Sequence, residues 1–181
     1  MLIAFSIGVT ATAYPENTAD KFRELVAMSA RRLEIARQIA LAKWDTGTPV
    51  EDASRESQVI SSAIKDGQSM GLDPRFVTDF FKAQIEANKL VQYSLLANWH
   101  RAGAAPPHRP SNLAANLRPE LDRLQRDLLE QLVQTAPVRG TSGCNAALAK
   151  SVGKYLVDHQ LAAGSLEAIA LDRAVAASCT F

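Results

Sequence analysis

The chain has 181 residues, 47% of them hydrophobic and 6% aromatic, with a net charge of +1 from 20 basic and 19 acidic side chains. That size and hydrophobic share suit one compact domain with a real core. The charge balance, and the lack of any run of Lys and Arg, argue against a nucleic-acid surface or a polybasic membrane patch.

Residues Leu2 to Val9 form a short apolar run, too short to anchor in a bilayer. Ala11-Thr12-Ala13 follows, an A-x-A signature of signal-peptidase cleavage, although no basic segment precedes the run. Residues 1–13 are therefore expected to be part of an export signal and 14–181 a single all-α domain. An apolar N-terminal arm is the competing reading.

From about Ala19 to Trp44 the pattern is a long amphipathic helix, ended by Asp45-Thr46-Gly47. Thr48, Pro49 and Glu51 then offer an N-cap, a first-turn proline and a capping-box acid. They predict a second helix from there to about Met70, with Gly71 as its C′ residue. Asp73-Pro74 repeats the start signal for a third helix, reaching about His100 and stopped by Gly103. A loop rich in Gly, Ala and Pro runs from Gly103 to Ser111, where His108 and Arg109 are expected to be simply solvated. Residues 112–117 read as an irregular lead-in. A fourth helix follows from about Pro119 to Thr135, with Leu121, Leu124, Leu128 and Leu132 as its apolar stripe.

Pro137, Gly140 and Gly143 break the chain, and two shorter helices are expected, at about Asn145–His159 and Ser165–Ala177. No period-2 strand pattern and no long repeat is visible. In an exported chain the two cysteines, Cys144 and Cys179, suggest a disulfide that would clip this last hairpin. Two unrelated buried thiols are the alternative. His100, His108 and His159 are not at ligand spacing, so no metal site is expected.

Polar groups sit where the helical stripes should be apolar. Arg32 and Lys43 are eleven residues apart, three turns of a helix, and share a face with Leu25, Met28, Ile35, Ala36 and Ile39. On the third helix Asn88 and Gln92 fall in the same sector as Phe81, Ile85, Leu95 and Trp99. Asp52, Arg55 and Glu56 cluster at the second helix. Buried charge and buried amides need partners. Either these groups form a structural network, with Glu34, Asp52 or Glu56 meeting the cations, or they line a cationic, amide-rich pocket for a small polyanion. No Ser–His or Cys–His arrangement offers a nucleophile, and no Gly-rich loop offers a phosphate cradle.

The set Arg32, Lys43, Asp52-x-x-Arg55-Glu56, then Asn88 and Gln92 four apart, resembles the AroQ class of chorismate mutases, and within it the secreted, gamma-type members. The segment Gln84 to Tyr93, the apparent export signal, the extra C-terminal helices and the late cysteine pair resemble that type as well. The resemblance spans roughly Phe22 to Cys179. It implies an all-α fold of three long helices plus C-terminal helices, with the active site inside one chain and chorismate as substrate.

By this resemblance Lys43, Gln92 and Arg32 would be catalytic. Arg32, Lys43, Asp52, Arg55, Glu56, Asn88, Gln92 and Arg118 would bind substrate. Arg118 resembles the arginine that replaces a partner subunit's residue in the secreted type, with Arg123 and Arg126 as its competitors. No cofactor is implied, nor a nucleic-acid partner, nor a membrane once the signal is removed. A homodimer is plausible, and location in the periplasm or outside the cell is expected. Asn88 stands where Ser or Thr is frequent, Val59 where some members have Gln, and Glu56 is present although some lack it. The rival readings are a non-catalytic periplasmic helical module that binds a small anion, and a helical structural protein whose polar groups only fix packing.

Overall fold

The computed structural model describes residues 18–110 and 112–179, so the expected export signal lies outside the described residues. After a 3-10 turn at Thr18–Phe22 come α1 (Arg23–Thr46), α2 (Ala53–Ser69) and α3 (Pro74–Ala102). A single π turn, Leu113–Leu117, leads into α4 (Arg118–Gln134). The short α5 (Ala136–Arg139), then α6 (Cys144–Asp158) and α7 (Leu166–Val175), complete the described chain. No strand is present among the described residues, and no described helix is long and apolar enough to cross a membrane.

α3 runs through the middle and packs on α1, α2 and α7. Its ends follow local rules. The Asp73 carboxylate accepts the Phe76 N–H at 2.9 Å, Pro74 fills the first turn, and Gly103 closes the helix at φ +75°. The core is the shared apolar stripe of these helices: Phe22, Leu25, Val26 and Leu33 meet Val77, Phe80, Phe81 and Leu95, with Leu128, Leu129 and Leu132 from α4. A buried amide helps to lock it. Gln84 donates to the Ser29 hydroxyl at 2.8 Å and to the Ala174 carbonyl at 3.1 Å, tying α3 to α1 and α7.

Three local expectations are corrected. The second helix does not start at Thr48. Its N-cap is Asp52, whose carboxylate accepts the Arg55 N–H at 3.0 Å. Residues 47–52 form a non-helical strap because the Val50 side chain is buried and its carbonyl accepts from the Lys43 ammonium at 2.7 Å. A bond back to the preceding helix thus outcompetes the local capping box. The break after α4 contains the short α5. His108 is not simply solvated: its ring bonds the Asp45 carboxylate at 3.0 Å and the Pro106 carbonyl at 2.9 Å. Those bonds, Asp45's first, raise its pKa above 6.5, so the charge-assisted contribution of the tether is present at low pH and is lost as pH rises through the raised value, leaving the neutral ring one N–H to donate. The tether fixes the α3–α4 loop to the end of α1, beside the edge-on Trp44–Trp99 pair.

At the far end, Cys144 and Cys179 are joined in a disulfide that closes a separation of 35 residues around α6 and α7. Cross-linking a loop of that length stabilises by about 3–4 kcal/mol on the chain-entropy model. Reducing the bond, or replacing both cysteines with serine, should lower the melting temperature clearly while leaving the helical signal of the folded state intact. An unchanged melting curve would show that this clip contributes nothing.

Candidate active site

The pocket lies where α1, the strap, α2, α3 and the π turn meet. α1 delivers Arg32 and Lys43 on one face, at 4% and 8% exposure, together with Ile39. α3 delivers Asn88 and Gln92, at 8% and 4% exposure, from within the apolar stripe. The N-terminus of α2 brings Asp52, Arg55, Glu56 and Val59. Arg118 comes from the first residue of α4, just after the π turn. Leu117 of that turn is buried against Ile35 and Ile39 in a small second core with Leu113, Leu121 and Leu124 around it. Asn112 caps the turn by accepting the Ala115 N–H at 3.0 Å. An apolar anchor one residue before Arg118 therefore fixes where the chain enters α4 beside the pocket.

All eight residues expected to contact substrate line one cavity of about 120 Å³, and Arg123 and Arg126 are not among its lining residues. Larger concavities of about 340 and 630 Å³ lie along α1 and α6. Their rims carry cations already met by carboxylates, such as Arg37 with Glu167 and Arg31 with Glu34. The smaller pocket is distinguished by its chemistry. Among the described residues neither Arg32 nor Lys43 forms an ion pair. Arg32 donates only a long 3.4 Å bond to the Leu121 carbonyl, and its buried Nε has no hydrogen-bond partner. Lys43 donates to the Val50 carbonyl alone. Among the described residues, the structural ion network anticipated as an alternative makes no ion pair with either cation.

Electrostatics follow from burial. Loss of solvation drives the Arg32 guanidinium down to about 10, with Asp122 pulling it back up and Arg55 pushing it down. Desolvation likewise lowers Lys43, against Asp52, Glu56 and Glu51, while Arg118 adds to the lowering. Arg32 remains a cation at neutral pH, and the loss of solvation at both groups favours an incoming anion. At the rim, Arg55 pairs with Asp122 at 2.7 Å and Arg118 approaches Asp52 at 3.9 Å.

The amides form a chain with a fixed sense. Asn88 Nδ2 donates to the Arg32 carbonyl at 3.1 Å, and Gln92 Nε2 donates to Asn88 Oδ1 at 2.7 Å. The Arg32 carbonyl can only accept, so Asn88 must turn its oxygen toward Gln92, and Gln92 its nitrogen toward Asn88. One N–H of the Gln92 amide is left for another acceptor.

Lys89 also lines the pocket, and sequence reasoning gave it no role. Its ammonium meets Glu51 and Glu86 at 2.9 Å and Glu56 at 3.5 Å. Burial works to lower its pKa, but the bonds to Glu86 and Glu51 outweigh that and raise it. Only its position between Asn88 and Gln92 pointed to it in the sequence.

Comparison with known proteins gives consistent results. Residues 22–93 match the family described as chorismate mutase type II. The chain is 30% identical over 141 residues to the secreted chorismate mutase of Mycolicibacterium smegmatis, covering 76% of this chain and 77% of that one. With the secreted chorismate mutase of Mycobacterium tuberculosis the identity is 34% over 125 residues, and the match spans 69% of this chain but only 62% of that relative's length. The crystal structure of chorismate mutase from Burkholderia phymatum superposes with a TM-score of 0.87 at 43% identity, covering 92% of this chain and 100% of that one. The secreted chorismate mutase of Yersinia pestis shares the fold, with a TM-score of 0.67 at 23% identity over 86% of this chain and 94% of that one.

Proposed function

The chain belongs to the type II chorismate mutase family, and from that membership we propose that it rearranges chorismate to prephenate in the pocket between α1, α2, α3 and the π turn. The observation that carries this reading is the pair of buried cations, Arg32 and Lys43, without carboxylate partners among the described residues. Such charges are stable only if an anion meets them or if their positions are fixed by strong packing. The substrate is a dianion.

The reaction breaks a carbon–oxygen bond as it forms a carbon–carbon bond within one molecule, and no proton moves to the protein. The pocket therefore has two tasks. It holds the flexible substrate in its compact chair form, an orientation effect. It also stabilises the negative charge that grows on the ether oxygen, an effect of preorganised donors in a site shielded from water. Arg32 and Arg118 take the two carboxylates, since a planar guanidinium fork matches a carboxylate bidentately. Lys43 faces the ether oxygen as a point charge, and the remaining N–H of Gln92 gives that oxygen its second bond. Glu56 accepts from the substrate hydroxyl, Asp52 and Arg55 order the first turn of α2, and Asn88 supports a carboxylate. The single domain 14–181, exported to the periplasm or the medium, carries the whole site. Sedimentation at assay concentrations separates a monomer from the homodimer that the resemblance makes plausible.

The test is a continuous ultraviolet assay of chorismate loss by the full chain, with Arg118→Ala and Arg123→Ala in parallel. Saturable turnover is expected. Arg118→Ala should raise KM and lower kcat/KM by about 100-fold, in line with roughly 1.5–3 kcal/mol for a charge-assisted hydrogen bond. Arg123→Ala should match the wild type. Equal losses in the two variants would remove Arg118 from the pocket's machinery, and no turnover by a folded sample would sink the enzymatic reading.

A further inference from the structure

Between Asn88 and Gln92 on α3 stands Lys89, with its side chain only 14% exposed. It reaches two carboxylates on other elements, Glu51 of the strap at 2.9 Å and Glu56 of α2 at 3.5 Å, besides Glu86 on its own helix. Glu51 is gripped twice: one carboxylate oxygen takes Lys89, and the other accepts the Tyr93 hydroxyl at 2.8 Å. Two α3 side chains, one turn apart, thus hold a single acid of the strap.

Elsewhere the strap is held by the buried Val50 side chain, the Thr46–Thr48 hydroxyl bond and the Asp52 cap. Residues 47–52 lie between α1 and the Asp52 cap of α2 and belong to neither helix. The residue next to Glu51 is Val50, whose carbonyl is the hydrogen-bond partner of the Lys43 ammonium. The path from Lys89 to Lys43 is short: an ion pair, one peptide unit and a 2.7 Å hydrogen bond. The second arm of Lys89 ends on Glu56, itself in the pocket wall.

We propose that Lys89 is a positioning residue of this site, clasping Glu51 and Glu56 so that the Val50 carbonyl aims the Lys43 ammonium and the Glu56 carboxylate keeps its place in the wall. The inference rests on the reading of the pocket as the chorismate site. Glu51 is more than half exposed, and an ion pair open to solvent on one side adds little to global stability. Its effect is local geometry, to which a site that works by orientation is sensitive: a misplacement of about 1 Å costs on the order of 100-fold in rate. The mark of the clasp is therefore a loss of activity out of proportion to any loss of stability.

The experiment measures kcat, KM and the melting curve for the wild type, Lys89→Met, Lys89→Arg, Glu51→Gln and the double variant Lys89→Met/Glu51→Gln. Lys89→Met is expected to lower kcat by about 10- to 100-fold and to raise KM, with the melting curve nearly unmoved, on the same sensitivity to misplacement. Lys89→Arg should recover most of kcat. The double variant should be no worse than Lys89→Met, because both changes open the same clasp. Full kcat in folded Lys89→Met, additive losses in the double variant, or a loss that merely tracks melting would each overturn the proposal. If Lys89→Met does not fold, Glu51→Gln decides: a wild-type kcat there overturns it, and a lowered kcat with an unmoved melting curve supports it. An inactive wild type overturns the reading of the pocket and the clasp with it. An active wild type with unimpaired Lys89→Met overturns the clasp alone.

Discussion

Replacing Lys43 with alanine is expected to lower kcat by about 100- to 1000-fold, the loss of one preorganised donor at a developing charge costing on the order of 2.7–4 kcal/mol. The fold should survive. The Lys43 ammonium makes one hydrogen bond, to the Val50 carbonyl, and no ion pair among the described residues, so its removal orphans a single acceptor while relieving a buried charge. Circular dichroism and a melting curve check the fold, and Lys43→Met supplies a control that keeps most of the side-chain volume. A second readout uses the direction of the Lys43 shift. Burial lowers its pKa, and the cation is the active form, so kcat/KM should fall as pH rises, earlier than for an ordinary lysine. In the complex the substrate dianion favours the charged lysine, so the alkaline limb of kcat should lie above that of kcat/KM. Unchanged turnover in Lys43→Ala would remove Lys43 from the chemistry.

The second large effect is on pH dependence. Gln92→Glu should convert a flat acid-to-neutral profile into one in which activity rises as pH falls. A neutral amide donates at every pH, whereas the new carboxyl donates only when protonated. Once ionised it accepts only, places a negative charge beside the growing one, and draws Lys43 and Arg32 toward itself. Asn88 sharpens the expectation. Its amide is held by the Arg32 carbonyl so that its oxygen faces residue 92, and that oxygen offers nothing to an ionised carboxylate. Rates measured from weakly acid to mildly alkaline buffer, with the wild type beside it, decide the matter. A flat profile in the variant would count against contact between Gln92 and the reacting oxygen.

Much of this site was legible in the sequence because it is carried by helical period. Arg32 and Lys43 lie three turns apart on one face, and Asn88 and Gln92 one turn apart in an apolar stripe, so burial follows from spacing alone. The start of α2 was harder to read. Thr48 and Asp52 are both good caps, and local rules rank them closely. The choice falls to Asp52 because the Val50 carbonyl bonds a lysine one helix away, which no local pattern records. Arg118 was ambiguous against Arg123 and Arg126 for a related reason. The path of a loop is not periodic, and what fixes it is the seating of Leu117 against Ile35 and Ile39. Lys89 has no role that its own stretch of sequence could show. Its meaning depends on Glu51 and Glu56, more than thirty residues away, coming to the same face of α3.

The route by which Arg118 arrives has a consequence for where such a catalyst can work. A pocket completed by a neighbouring molecule's arginine comes apart on dilution, by mass action. Here the eight candidate residues of one chain line a common pocket, and the segment between α3 and α4, tethered through His108 to Asp45, leads to Arg118. The local concentration of that guanidinium is set by a short covalent path and does not depend on how many copies are nearby. If the proposed pocket is the working site, specific activity should then stay constant as the protein is diluted far below the dissociation constant of any dimer, which is the condition an exported enzyme would meet.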